Sequence, residues 1–378
     1  MIKFSINKSL FIQALNATKR AISSKNAIPV LSTLKIEVNQ NDITLTGSNG
    51  QISIENTIPI SNENAGLLIT STGAVLLEAN FFINIVSSLP DITLDFEELD
   101  HHQVLITSGK SEITLKGKDV DLYPRLQEIS TDTPLVLETK LLKEIISETA
   151  FAASLQESRP ILTGVHMVLT NNKEFKAVAT DSHRMSQRKL TLENATNNFD
   201  VVIPSKSLRE FSAVFSDNIE TVEVFFSASQ MLFRSDYISF YTRLLEGNYP
   251  DTDRLLLTNF ETELVFNTNT LRQAMERAHL ISNATQNGTV KLEILDQTVS
   301  TYVNSPEVGK SNEELDVVEK SGDNLTISFN PTYLIESLKA LKSETVTIRF
   351  ISPVRPFTLT PRENADDFIQ LITPVRTN

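Results

Sequence analysis

Three stretches of the sequence, residues 3–15, 135–146 and 264–275, follow one pattern: a few alternating residues, then apolar residues at helical spacing. Ile6, Leu137 and Phe266 take equivalent places in them. A second set, residues 78–86, 204–211 and 330–338, opens with polar residues or proline and continues with apolar residues at i, i+3 and i+4, the signature of a helix start. A third set is Leu122-Tyr123-Pro124, Gly247-Asn248-Tyr249-Pro250 and Leu371-Ile372-Thr373-Pro374. Three sets in one phase define a threefold repeat of about 125–130 residues, which divides the 378 residues into domains at 1–130, 131–258 and 259–378. Between the helices the sequence alternates with period two, as in residues 34–38, 92–96, 113–115, 290–294 and 346–350. That period marks strands with one buried and one solvated face. Turn clusters such as Gly47-Ser48-Asn49-Gly50 separate them. Each unit therefore reads as two helices packed on antiparallel sheet, an α+β domain. The joins near residues 129–132 and 258–260 are short and poor in Gly and Ser, which predicts stiff connections.

Lys and Arg number 34 against 47 Asp and Glu, a net charge of −13. Taken whole, that balance argues against a nucleic-acid partner, because duplex binders present basic surface. Its distribution changes the argument. The candidate helices, residues 7–25, 78–89, 139–155, 205–216, 268–282 and 331–343, together carry a small positive excess, so strands and loops hold the acid. A mildly basic helical face suits phosphates without gripping them. The same count also fits Lys and Arg serving as good helix formers on solvated faces.

Much chemistry is excluded. There is no Cys, hence no disulfide, thiolate zinc site or iron–sulfur cluster, as suits a reducing compartment. No apolar run approaches ~18 residues, so no membrane span is expected, and residues 1–6 lack the apolar core of a signal peptide. None of the five histidines sits in a metal-ligand helix motif. His101-His102 follows an acidic stretch and reads as a solvated hairpin turn. The Gly-Lys-Ser triplets at 109–111 and 309–311 lack the glycine a phosphate loop needs; Val104 and Asn304 stand there. Ser32-Thr33-Leu34-Lys35, Ser216-Asp217-Asn218 and Lys320-Ser321-Gly322 resemble the penicillin-binding signature, but Ser32 enters a strand and 320–322 reads as a polar stretch between strands, the reverse of that family's pattern. Asp181-Ser182-His183 reads as a polar turn after the strand at 175–179, since catalytic triads assemble in space and not from chain neighbours. No catalytic residue, metal or cofactor is expected.

Four stretches carry a family resemblance: Ala27-Ile28-Pro29-Val30-Leu31, Ala179-Thr180-Asp181-Ser182-His183-Arg184-Met185, Asn248-Tyr249-Pro250-Asp251 and Leu371-Ile372-Thr373-Pro374-Val375-Arg376. Together with the repeat, they make the chain resemble the bacterial DNA polymerase III beta subunit, the sliding clamp, over essentially its whole length. The resemblance implies a DNA clamp fold: a head-to-tail homodimer closing a ring of six domains, helices lining the hole and sheets outside. It implies a cytoplasmic, non-catalytic processivity factor that encircles double-stranded DNA without reading sequence. Its partners would be the replicative polymerase, the clamp loader and other proteins bearing a clamp-binding peptide. At positions matching the family's peptide pocket stand Leu162, Thr180, Ser182, His183, Arg184 and Met185, then Pro250 and Leu255, then Thr373, Pro374, Val375 and Arg376. Clamps often carry methionine where Thr373 and Val375 stand, so peptide preference is expected to differ. Lys25, Gln156, Arg159 and Lys206 match DNA-lining positions, Lys25 standing where Arg is common. Ile113 and Leu115 on an edge strand, with Leu280 and Ile281 on a helix, match the subunit interface. The competing reading is a repeat scaffold that binds proteins without encircling DNA.

Overall fold

The computed structural model describes residues 1–23, 28–126, 129–193, 198–256, 259–284 and 288–376. The first repeat runs β1 (Lys3–Asn7), α1 (Lys8–Lys19), β2 (Thr33–Val38), β3 (Asp42–Ser48), β4 (Ile52–Pro59), β5 (Leu68–Ser71), β6 (Gly73–Glu78), α2 (Ala79–Ser88), β7 (Thr93–Glu98), β8 (Gln103–Ser108) and β9 (Ser111–Lys116). The second runs β10 (Leu135–Glu138), α3 (Thr139–Thr149), β11 (Gly164–Thr170), β12 (Glu174–Thr180), β13 (Arg184–Thr191), β14 (Phe199–Pro204), α4 (Ser205–Val214), β15 (Thr221–Phe226), β16 (Gln230–Arg234) and β17 (Ile238–Arg243). The third runs β18 (Thr262–Asn267), α5 (Thr268–Ser282), β19 (Val290–Ile294), β20 (Val299–Ser305), β21 (Gly309–Glu314), β22 (Val317–Gly322), β23 (Leu325–Phe329), α6 (Pro331–Ala340), β24 (Thr345–Phe350), β25 (Phe357–Pro361) and β26 (Phe368–Ile372). Each repeat is thus the sequence strand, helix, three strands, played twice, with one extra strand between the halves of the first (β5) and third (β22).

Local chemistry fixes the helix starts. Asn7 and Asn267 cap α1 and α5 by accepting from the N–H of Ser9 and of Asn269 and Thr270. Asn330 caps α6 with Pro331 in its first turn, and the Glu78 carboxylate accepts from Phe81 N–H at the start of α2. Two helices stop earlier than their apolar spacing predicts. α1 ends at Lys19, with Arg20 as its C-cap, so the basic excess of this segment lies partly beyond the helix; Lys25 falls outside the described residues. α3 ends at Thr149 and tightens into a 3-10 turn at Ala150–Ala152, where the Phe151 carbonyl turns aside to accept from Arg184. Against the expectation of a polar stretch between strands, Lys320-Ser321-Gly322 lies on β22, which pairs with β18. Its side chains are largely exposed, so an edge strand of this kind carries no apolar alternation to betray it. Ser32 closes a 3-10 turn and its hydroxyl donates to the Pro29 carbonyl at 2.8 Å.

Contacts gather the chain into two units that do not follow the three repeats. The first comprises residues 1–140 and 209–244, the second residues 141–208 and 245–378. The reason is sheet continuity. In the first unit lie a five-stranded sheet, β5-β1-β7-β8-β9, and an eight-stranded sheet, β10-β15-β16-β17-β4-β3-β2-β6. In the second lie a nine-stranded sheet, β14-β11-β12-β13-β26-β25-β24-β18-β22, and a four-stranded sheet, β21-β20-β19-β23. The β4–β17 pairing (Ile54↔Phe240) joins strands of the first and second repeats, and β13–β26 (Met185↔Leu371) joins strands of the second and third. The middle repeat therefore gives half its strands to each unit. Aromatic clusters anchor each repeat: Phe4 stacks on Phe96 at 4.7 Å beside Phe11 and Phe82, Phe211 stacks on Phe215 beside Phe233 and Phe240, and Phe357 contacts Phe329 and Phe350. Each fully buried ring contributes about 1.5–3 kcal/mol of transfer free energy.

Candidate peptide-binding site and free sheet edges

Strand pairing builds the floor of the candidate pocket, all of it in the second unit. β13 pairs with β12 through Thr180↔Met185 and with β26 through Arg184↔Ile372 and Met185↔Leu371. These registers put Val178, Met185 and Leu371 into one buried apolar cluster, flanked by half-buried Tyr249 and Leu256. The β12–β13 turn is held by side chain to backbone bonds. Asp181 Oδ1 accepts from the N–H of His183 at 2.9 Å and of Arg184 at 3.0 Å. Thr180 Oγ1 donates to the Arg184 carbonyl at 2.6 Å and accepts from Ser182 N–H at 3.2 Å, while Ser182 takes a left-handed φ of 78°. The polar Asp-Ser-His run is thus a turn, as its position after a strand implies, and it leaves Ser182 and His183 exposed.

The C-terminal segment lies against that turn. Thr373 donates twice to the His183 carbonyl, from its N–H and its hydroxyl, each at 2.9 Å. Val375 N–H donates to the Ser328 carbonyl at 2.7 Å, which leaves Pro374 half-buried and Val375 and Arg376 exposed. Tyr249 ties in the next segment: its hydroxyl accepts from Thr180 N–H at 3.0 Å and its ring stacks on His166 at 4.9 Å. Burial pushes the Tyr249 hydroxyl well above the usual phenol range, so it stays protonated. Pro250 follows it, exposed. Leu255 ends a 3-10 turn 45% exposed, an unpaid apolar surface at the site. The neighbouring Asp253 is held below the usual carboxylate range by a hydrogen bond from Lys176 at 2.8 Å. Leu162 is buried on the 3-10 turn Pro160–Thr163, with its carbonyl accepting from Ser154 N–H.

Arg184, expected at the pocket, is turned largely inward. It is only 9% exposed, and each of its three guanidinium nitrogens donates to an acceptor within the chain. It donates to Asp181 Oδ2 at 3.0 Å, to Glu336 Oε2, and to the Phe151 carbonyl at 2.8 Å, and it lies over the Phe151 and Tyr333 rings. It ties the turn, α6 and the end of α3 together, and Tyr333 in turn stacks on His183. Sequence reasoning missed Tyr249, Val178, Leu371, Phe151, Tyr333 and Glu336. The Tyr-Pro repeat is a signal for Tyr249, and Val178 and Leu371 lie on strands two residues from the predicted Thr180 and Thr373; Phe151, Tyr333 and Glu336 are reached only through folding across more than 30 residues.

Gln156, Arg159 and Lys206 are exposed, and Lys206 Nζ stands 3.9 Å from Glu157 Oε1, a pair too solvated to neutralise it. On β9, Leu115 is buried in the domain's own core and Ile113 packs against it, so the strand offers its backbone edge and its polar alternate residues outward. Leu280 projects from α5 with 75% of its surface exposed, and Ile281 is half-buried. In each half-repeat of the fold the last strand is β4, β9, β13, β17, β21 or β26. Among the described residues, four of these pair with one another and β9 and β21 end their sheets unpaired.

Three family sequence models, for the N-terminal, central and C-terminal domains of the DNA polymerase III beta subunit, match residues 2–127, 136–251 and 253–376. The chain belongs to the DNA polymerase III beta subunit family. A Beta sliding clamp of Streptococcus pneumoniae is 72% identical over 378 residues, the full length of both chains. The crystal structure of the beta subunit from DNA polymerase of Streptococcus pyogenes is 76% identical and superposes with a TM-score of 0.96, both chains fully covered. The DNA polymerase sliding clamp from Bacillus subtilis, 37% identical, superposes at 0.95 with the same coverage. The beta-subunit family accounts for the threefold repeat, and the chain serves as a sliding clamp in DNA replication. Among the described residues, no helix is long and apolar enough to cross a membrane.

Proposed function

We propose that two copies of the chain associate head to tail into a ring that encircles duplex DNA and tethers the replicative polymerase, acting in the cytoplasm and catalysing nothing itself. The observation that carries this is the pair of unpaired strands. Four of six half-terminal strands satisfy their edges on one another, and an exposed edge is a liability unless covered. Pairing β9 of one copy with β21 of the next extends the same rule across subunits, and applying it twice closes the chain on itself. Leu280 and Ile281, on the helix that packs over β20 and β21, would meet the partner at that seam near half-buried Ile113, with Leu115 supporting β9 from the domain's own core. The three domains of a subunit would be residues 1–130, 131–258 and 259–378.

DNA would be held by topology, touched through Lys25, Gln156, Arg159 and Lys206 without base reading. Lys in place of Arg keeps charge and loses the planar fork, a small loss where no base is read. Polymerase, clamp loader and other partners would seat a short peptide over the buried apolar cluster of Val178, Met185 and Leu371, between Leu162, Pro250, Leu255 and residues 373–376. Thr180, Ser182 and His183 shape its rim, and Arg184 holds that rim in place. Native mass measurement tests the assembly: a species of twice 42.2 kDa is expected, and a monomer at micromolar concentration would refute the ring.

A further inference from the structure

The architecture of the candidate peptide pocket occurs a second time, within the first unit. The β3–β4 turn reproduces the β12–β13 turn bond for bond. Asn49 Oδ1 accepts from the N–H of Gln51 and Ile52, each at 2.9 Å, as Asp181 does from His183 and Arg184. Ser48 Oγ donates to the Ile52 carbonyl and accepts from Gly50 N–H, as Thr180 does with Arg184 and Ser182. Gly50 takes a left-handed φ of 86°, beside 78° at Ser182. Arg243 N–H donates to the Gln51 carbonyl at 3.0 Å, as Thr373 does to His183 at 2.9 Å. The 3-10 turn Pro29–Ser32 matches Pro160–Thr163, each closed by a hydroxyl donating to its own proline carbonyl, at 2.8 Å and 2.7 Å. Tyr123-Pro124 stands where Tyr249-Pro250 does.

Between these parts lies a cavity of about 230 Å³, open to solvent, with apolar walls from Ile28, Leu31, Pro124 and Leu126. Its charge differs from the other site. The residue after the proline is Arg125 here and Asp251 there, and Arg243 replaces Thr373. Arg125 and Arg243 are both exposed at the cavity, and neither has an ion-pair partner among the described residues. A second cavity borders the same segment, and the Tyr123 hydroxyl lining it is buried without a hydrogen-bond partner among the described residues, whereas Tyr249 has Thr180.

We propose that this cavity is a second peptide site, taking a short partner-protein segment that buries an aliphatic side chain between Leu31 and Leu126 and sets aspartate or glutamate against Arg125 and Arg243. The inference rests on reading the Met185 cleft as a peptide pocket, because the equivalence of their turns identifies the ligand class. Charge sorts the two sites: acidic segments favour the arginine-flanked one.

The chain contains no tryptophan, so a single introduced indole reports on one site at a time. Leu126→Trp, with exposed Gln51→Trp as a second reporter should the first perturb folding, marks the arginine-flanked cavity, and Leu255→Trp marks the other. The probe is a blocked octapeptide with two leucines and two aspartates. A saturable change in Leu126→Trp or Gln51→Trp emission is expected, weakened at least tenfold by adding Arg125→Glu and Arg243→Glu, with the Leu255→Trp response unmoved by those reversals. No response from either reporter, a response that survives the reversals, equal binding of a peptide with lysines for aspartates, or a response to duplex DNA instead of peptide would each overturn the proposal. Failure of Leu255→Trp to answer any apolar peptide would refute the primary pocket separately.

Discussion

Arg184 is a positioning residue of the candidate pocket. With three hydrogen-bonding partners and two aromatic faces around a side chain that is 9% exposed, its truncation leaves Asp181 and Glu336 without their cation. Arg184→Ala is expected to weaken a polymerase-derived peptide by about tenfold or more in an anisotropy titration while sedimentation still finds the dimer. Deleting residues 374–378 should do likewise; unchanged affinity in both would contradict the pocket assignment. Glu148 offers a pH signature. Burial pushes its carboxyl up to about 7, partly offset by Arg188 at 3.3 Å and Lys342 and reinforced by Glu144. A folded-state pKa raised above the unfolded value of 4.5 means the folded form holds its proton longer, so this group's contribution to stability falls as pH rises from about 4.5 to about 7. Glu148→Gln should flatten that part of the Tm profile and raise stability at pH 8 by on the order of 1–2 kcal/mol. A profile with the wild-type slope would contradict this reading.

At the scale of elements, the free edges set the predictions. Leu280→Asp places charge on a side chain already 75% exposed, so folding should be unaffected while the dimer is lost; Ile113→Asp adds to that effect but also disturbs the core of the first repeat. A double variant that sediments as a dimer would refute the interface. Phe11→Ala, by contrast, opens a cavity among Phe4, Phe82 and Leu15 and should cost about 3–5 kcal/mol without a direct effect on assembly, read by denaturant unfolding. Period-two and helical spacing made most strands and all three pairs of helices legible in the sequence. Three features were not. β22 carries its two valines side by side on opposite faces and polar residues beyond them, largely exposed, so no alternation marks it. The end of α3 is set by Arg184 reaching Phe151, a contact 33 residues away. The pairings β4–β17 and β13–β26 bring together strands nearly two hundred residues apart, and alternation tells which face is buried but not which strand lies alongside.

For the whole molecule, the repeat and its family were readable from the residues, whereas the contacts that hold the candidate pocket's turn, such as Arg184 to Phe151 and Glu336, were not. In the proposed ring, the acidic total and the mildly basic helices would belong to one physical account: weak attraction inside and repulsion outside would let it slide where a gripping surface would stall. Such binding depends on closure, not on charge alone. The decisive measurement is retention of the purified chain, loaded by its clamp loader, on nicked circular duplex DNA before and after linearisation. The account predicts that the chain stays on the circle through a salt wash and runs off once the DNA is cut. Equal loss from circular and linear DNA would contradict it.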